Sequence, residues 1–234
     1  GPTFGDAGIA TIDIGGDGHS WLDSVHFNAA GAMGHVKAPF LGANSVDTTL
    51  SADAANVTMT AGAPLSIDLQ MPIFTSGGTV DLNGDVVVSG AAIINTDGNL
   101  SGPAANITIT GTVTGFNNDG SDTLLLKADG ATDDADVDLQ GAYGAAGGAM
   151  GTLAIDARNI SVNSVSITDD VFAPNSIAGT ITLTGSTIET IGTGGDITFN
   201  RPVVLSSSGI ITVDTSANDD NIMFQEVIND TMSD

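Results

Sequence analysis

Carboxylates are the side chains whose number and spacing could do chemistry here. Asp129, Asp133, Asp134, Asp136 and Asp138 form the densest group, with Asp119 and Asp122 shortly before them. Ca²⁺ collects roughly six to eight oxygens, and alternate residues of an extended chain point to one side. Asp134, Asp136 and Asp138 would then face one way, which makes the five-aspartate run the candidate Ca²⁺ site. A solvated acidic loop is the plainer reading, because neither the EF-hand order nor a Gly-Gly-x-Gly-x-Asp repeat occurs. Asp169-Asp170 and Asp219-Asp220 sit just beyond apolar runs and read as turns.

The remaining reactive types are few. His19, His26 and His35 lack the paired spacing on one helix, or the cysteine partners, that a zinc site would use, and surface or cap positions suit them. All three lie in the first fifty residues with the single tryptophan, Trp21. Trp21 could offer a sugar-stacking ring, although closing the end of an apolar interior suits it better. No nucleophile elbow, P-loop or dinucleotide fingerprint is present. No catalytic residue and no required cofactor is therefore assigned.

The charge balance narrows the partners. Four Lys+Arg stand against 28 Asp+Glu, a net charge of −24. Nucleic acid is excluded as a partner, because counterion release needs clustered cations, and Lys37, Lys127, Arg158 and Arg201 are scattered. An anionic membrane surface is disfavoured likewise, and no apolar run is long enough for a membrane span. Acidity of this degree keeps a long particle soluble by self-repulsion. With no cysteine, the chain is compatible with an oxidising exterior. Gly1-Pro2 reads as the scar of a removed affinity tag, and hence the chain as a fragment of something longer.

The elements that must position any such group come from a repeated phrase. Val57-Thr58-Met59-Thr60, Val80-Asp81-Leu82-Asn83, Ile107-Thr108-Ile109-Thr110, Val137-Asp138-Leu139-Gln140, Ile160-Ser161-Val162-Asn163, Ile181-Thr182-Leu183-Thr184, Ile197-Thr198-Phe199-Asn200 and Ile222-Met223-Phe224-Gln225 share one apolar-polar alternation. Alternation with period two is the mark of a strand with one buried side. Recurrence about every 23 residues is solenoid spacing, at which each coil buries its apolar face against the next. Further short apolar runs, such as Ile67-Asp68-Leu69 and Leu153-Ala154-Ile155, follow within each coil. Turn pairs such as Asn83-Gly84 and Gly194-Gly195 separate them. The expected fold is all-β, a parallel β-helix of about 20–27 residues per coil. An antiparallel sandwich is the competitor, but it gives no reason for phrases to share one in/out phase.

Phrase starts are 23, 27, 30, 23, 21, 16 and 25 residues apart. The 30-residue gap holds the polar stretch 117–122 and the acidic run, which suggests a surface insertion. The 16-residue gap suggests that Ile197-Thr198-Phe199 belongs to a different face from Ile181-Thr182-Leu183. Residues 1–50 fit the repeat poorly and are expected to form an irregular N-terminal cap or lead-in segment, with the repeats occupying 51–234. The paired threonines Thr58/Thr60, Thr108/Thr110 and Thr182/Thr184 are interrupted by Asp81/Asn83, Asp138/Gln140 and Ser161/Asn163. A continuous ice-binding plane is therefore not expected, and strand propensity accounts for them.

The tail carries a resemblance. Gly194 to Leu205 (GGDITFNRPVVL), Ile211 to Thr215 (ITVDT) and Asn221 to Thr231 (NIMFQEVINDT) resemble the GDITFNGPVVLT…ITVDT…GNITFNGTVNGT repeats. Those occur in very large bacterial surface proteins related to the filamentous-haemagglutinin adhesins. The match is good over 190–231, looser over 55–190 and absent over 1–50. It implies a right-handed parallel β-helix, export to the cell exterior, and a non-catalytic stalk or adhesive role. The partners would be a host or neighbouring-cell surface, glycans or other matrix proteins. The repeats of that family carry no catalytic residues.

Two alternatives follow. The first is a carbohydrate-binding or carbohydrate-cleaving β-helix: Asn95-Thr96-Asp97 with later Asp pairs resembles the carboxylates of polygalacturonase-like hydrolases, whose acid and base flank the scissile bond. The basic and Gly-His-Gly elements of that family are missing here. A lyase would need Arg158 or Arg201 as its base. The second is a Ca²⁺-organised surface-layer or biofilm-matrix protein.

Overall fold

The computed structural model describes residues 24–29, 36–37, 41–42, 56–61, 66–69, 72–75, 77–96, 104–130, 134–144, 148–167, 171–172, 179–191, 195–215 and 220–231. Every regular element among them is a strand, and every strand pair between coils is parallel. The strands stack into a β-solenoid with three faces. One face is a nine-stranded sheet and another an eight-stranded sheet. The third holds a four-stranded and a three-stranded sheet, bridged through Tyr143, which pairs with Val113 on one side and Val165 on the other.

Register turns the alternation into columns. On the nine-stranded sheet Val25, Val57, Val80, Ile107, Val137, Ile160, Ile181, Val203 and Ile228 stand in line. Two residues on, Phe27, Met59, Leu82, Ile109, Leu139, Val162, Leu183 and Leu205 form a second column. In a parallel sheet with unshifted pairing, like side chains must stack on like. Six of the eight phrases, from Val57 to Ile181, thus fall on one face in the expected phase, with their first and third residues buried.

The last two phrases lie elsewhere. Ile197–Phe199 and Ile222–Phe224 belong to the eight-stranded sheet, where Ile197 pairs with Val171 and Ile222, and Phe199 with Phe224. The nine-stranded sheet continues instead through Val203–Leu205 and Ile228–Asp230. The short gap then disappears, since Ile181 to Val203 spans 203 − 181 = 22 residues. Alternation reports which side of a strand is buried and carries no label for the face. The columns also begin early: Ser24–Ala29, Val36–Lys37 and Leu41–Gly42 pair with the following coil on all three faces.

The core is the interior of this tube. Met59, Leu69, Leu82, Ile94, Ile109 and Leu126 are fully enclosed, and Leu82, Ile94, Ile109 and Leu126 each pair with an apolar residue on the strand above and the strand below. One corner explains part of the glycine content. A Cβ on Gly111 would lie 2.3 Å from the Gly84 carbonyl carbon, and one on Gly141 would lie 2.0 Å from the Gly111 oxygen. Gly84 itself has φ +137° and faces the Ala61 oxygen. Backbone stacks directly on backbone there, so no side chain fits. The opposite edge of the same strands is tied by polar side chains: Asn56 accepts the Thr79 N–H at 2.8 Å, Asn106 that of Asp136 at 3.0 Å, and Asn159 that of Thr180 at 3.1 Å.

The columns set a ranking for substitutions. Ile109→Ala should lower the unfolding free energy by about 2–5 kcal/mol, the cost of an enclosed cavity. Thr108→Ala, one residue away and outward, should change it by less than about 0.5 kcal/mol. Gly111→Ala should behave like the core change although it adds only a methyl group. Urea unfolding followed by circular dichroism measures all three.

Candidate functional site

The outer side of the eight-stranded sheet gathers the most unusual electrostatics among the described residues. Asn95, Lys127 and Asp156 occupy one outward column on three successive coils, Lys127 pairing with Asn95 on one side and Asp156 on the other. Their strands, Ala91–Asn95, Thr123–Ala128 and Leu153–Ala157, point Ile94, Leu126 and Ile155 inward. The next residue along each strand must therefore point outward. Beside this column runs an apolar one on the same side, Ile93, Leu125 and Ala154, all half-buried. Asn95 is itself only 5% exposed.

Asp156 is held in an environment that disfavours its charge. Its carboxyl is pushed up to about 6, first by burial and then by the neighbouring charge of Asp129, with which it shares a hydrogen bond. Asp134 adds repulsion, and Lys127 opposes these effects as the local cation. The Oδ1 atom of Asp156 is enclosed and has no hydrogen-bond partner among the described residues. Burial and a like charge act in the same direction on a carboxylate.

The five-aspartate run is divided between two surroundings. Asp129 and Asp134 act on Asp156. Asp136 instead belongs to the corner ladder: its Oδ1 accepts from Arg158 Nε at 3.0 Å and Asn159 Nδ2 at 2.9 Å, while its own N–H reaches Asn106. Asp138 lies on the outer side of the nine-stranded sheet between Thr108 and Ser161, and accepts from Gln140 Nε2 at 2.8 Å. Asp133 lies outside the described residues. Among the described residues no group of three or more His, Cys, Asp or Glu has metal-holding geometry. Arg158 bonds Asp136 in a surface ion pair. Such pairs contribute about 0–1 kcal/mol. His26 stands opposite Thr58 on the first strand; His19, His35, Trp21 and Asp97 lie outside the described residues.

A second carboxylate is enclosed for structural reasons. The stretch 116–121 is mostly exposed, as an insertion should be, but Asp122 at its end is fully buried. Its Oδ1 accepts the Gly90 N–H at 2.6 Å and Asn117 Nδ2 at 3.1 Å, and its Oδ2 accepts the Asn117 N–H at 2.8 Å. One carboxylate thus satisfies two backbone donors from two coils. Within the loop, Asp119 accepts the hydroxyl and the N–H of Ser121, which hold its carboxyl below the usual range. Tyr143 is also enclosed, donating its phenol to the Thr152 carbonyl at 3.3 Å, and burial holds that phenol protonated.

The Asn95–Lys127–Asp156 column has no local signature, because its members are 32 and 29 residues apart. Aligning the apolar runs Ile94, Leu126 and Ile155 as one column would have exposed it. Comparison with family models, curated proteins and solved structures finds no match.

Two predictions follow from these carboxylates. Because Asp156 is raised in the folded state, the native chain binds more protons than the unfolded chain between about pH 4 and 6. Stability contributed by the protonated form is therefore present at the acid end of this window and lost as pH rises through it. Asp156→Asn should flatten that slope in urea titrations across pH 4–6. Asp122→Ala should cost about 2–4 kcal/mol, since it strands buried donors, while Asp119→Ala, on the exposed loop, should be near neutral by the same assay.

Proposed function

We propose that this chain is a structural and adhesive segment of a large exported bacterial surface protein, displayed outside the cell and without catalytic activity. The observation that carries this reading is the unbroken column from Val25 to Ile228 across all nine strands of one sheet. At about 4.8 Å per strand, eight spacings make a rod of about 38 Å whose product is length. Every coil leans on the next through backbone hydrogen bonds along the axis, as a spacer held under tension requires. Between Thr58 and Thr182 the outward column of the nine-stranded sheet, Thr58, Asp81, Thr108, Asp138, Ser161 and Thr182, is short, polar and acidic, and it continues through Val204 and Asn229. The resemblance of residues 190–231 to filamentous-haemagglutinin-related repeats supports the same reading. Glycans, matrix proteins or a neighbouring cell surface are the partners proposed.

Beads coated with the chain should bind bacterial or host cells, or an array of surface glycans, above beads coated with an unrelated acidic protein. A charged block in the column, Ile109→Asp, should abolish both the fold and the adhesion. Release of reducing ends from a polysaccharide, lost in Arg158→Ala, would overturn the non-catalytic reading.

A further inference from the structure

We propose that Lys127 and Asn95 close an intramolecular isopeptide bond between adjacent coils, with Asp156 moving the proton. The three residues needed for such a bond are an amine, a carboxamide and a carboxyl group. They stand side by side in register on the outer side of the eight-stranded sheet, the amine in the middle. Directly paired side chains on neighbouring strands have Cβ atoms about 5 Å apart. The four methylenes of lysine easily cover that gap.

The surroundings suit the reaction. A lysine attacks only as the neutral amine, and desolvation favours that form. The apolar column Ile93, Leu125 and Ala154 lines one side of the trio, and Asn95 is withdrawn from water. Asp156 combines raised proton affinity with an enclosed oxygen that has no hydrogen-bond partner among the described residues. The neighbours that bear on its charge are Asp129, Asp134 and Lys127 itself.

The step balances without an external reagent. The Lys127 ammonium gives a proton to the Asp156 carboxylate, and the neutral Nζ attacks the Asn95 side-chain carbonyl carbon. A new C–N bond forms, and the bond from that carbon to Nδ2 breaks. The leaving nitrogen takes up the proton passed on by Asp156 and departs as ammonia, and the attacking Nζ gives its surplus proton to the freed Asp156 carboxylate, so that a neutral amide and a protonated Asp156 remain. No atom is oxidised or reduced. The product ties the coil containing Ala91–Asn95 to that containing Thr123–Ala128, a covalent staple across the axis along which a stalk is pulled.

Intact-mass measurement of the purified chain, followed by proteolytic mapping, tests the assignment. The expected results are a mass one ammonia below that of the sequence and a branched peptide joining the segments around Asn95 and Lys127. Lys127→Arg keeps the cation but lacks the primary amine, and should restore the full mass; Asp156→Ala should slow or abolish the loss. A wild-type chain that stays at full mass through prolonged incubation at pH 6 overturns the proposal. A deficit that persists in Lys127→Arg overturns it too, because Asn83 can lose ammonia by cyclising onto the backbone nitrogen of Gly84.

Discussion

Unshifted stacking of one coil on the next is the constraint on which the rest of this structure depends. Parallel strands joined by backbone hydrogen bonds cannot slip by one residue without turning every buried side chain outward. The apolar columns lock the register, and the register decides which polar groups meet. The corner ladder of Asn56, Asn106, Asp136 and Asn159 exists because equivalent positions recur above one another. The glycine corner exists for the same reason in reverse: Gly84, Gly111 and Gly141 stand where the stacked backbones leave no room. The many small residues and the low aromatic content, 4%, then suit a narrow tube whose interior is filled layer by layer.

The contribution of a neighbouring coil is visible at the end of the described rod. Phe199 and Phe224 are paired in register and stack with ring centroids 4.7 Å apart. Phe199 is 3% exposed and Phe224 36%, although the two strands repeat one another in pattern. Ile197 and Ile222 differ likewise, at 0% and 40%. The residue types and the in/out phase are held constant, so the difference is the layer above. In a solenoid the hydrophobic stabilisation of a coil is largely a property of the interface between coils.

Much of this was legible in the chain itself. Alternation at coil spacing placed the strands and the buried positions of Val57 through Leu183, because a half-buried strand writes its burial into every second residue. The assignment of faces was less legible. Val203-Val204-Leu205 continues the nine-stranded sheet without the polar second residue of the phrase, while Ile197-Thr198-Phe199 has that residue and lies on another face. Both strands meet the same interior, so composition does not separate them. The candidate site was hidden more deeply. Asp156 and Lys127 are unremarkable in their own segments and acquire meaning only when separate coils are superposed. Asp136, which reads as a metal ligand beside its neighbours in sequence, takes the structural place that asparagine holds in the coils on either side.

The acidity of the chain can then be divided by what each carboxylate does. Asp122 is consumed in satisfying donors that the fold buries, and Asp136 in a corner that asparagine fills equally well. Asp81 and Asp138 stand on the outer side of a strand, where nothing in the stacking calls for a charge. Net charge of −24 opposes indiscriminate approach of like copies of the rod. The same repulsion acts between successive coils, and the cohesion of the columns must exceed it. Where carboxylates crowd most closely, around Asp156, the fold answers with its local lysine and with a raised proton affinity instead of a wider spacing. The charge that protects the rod from its copies is thus tolerated only as far as the register between coils can bear it.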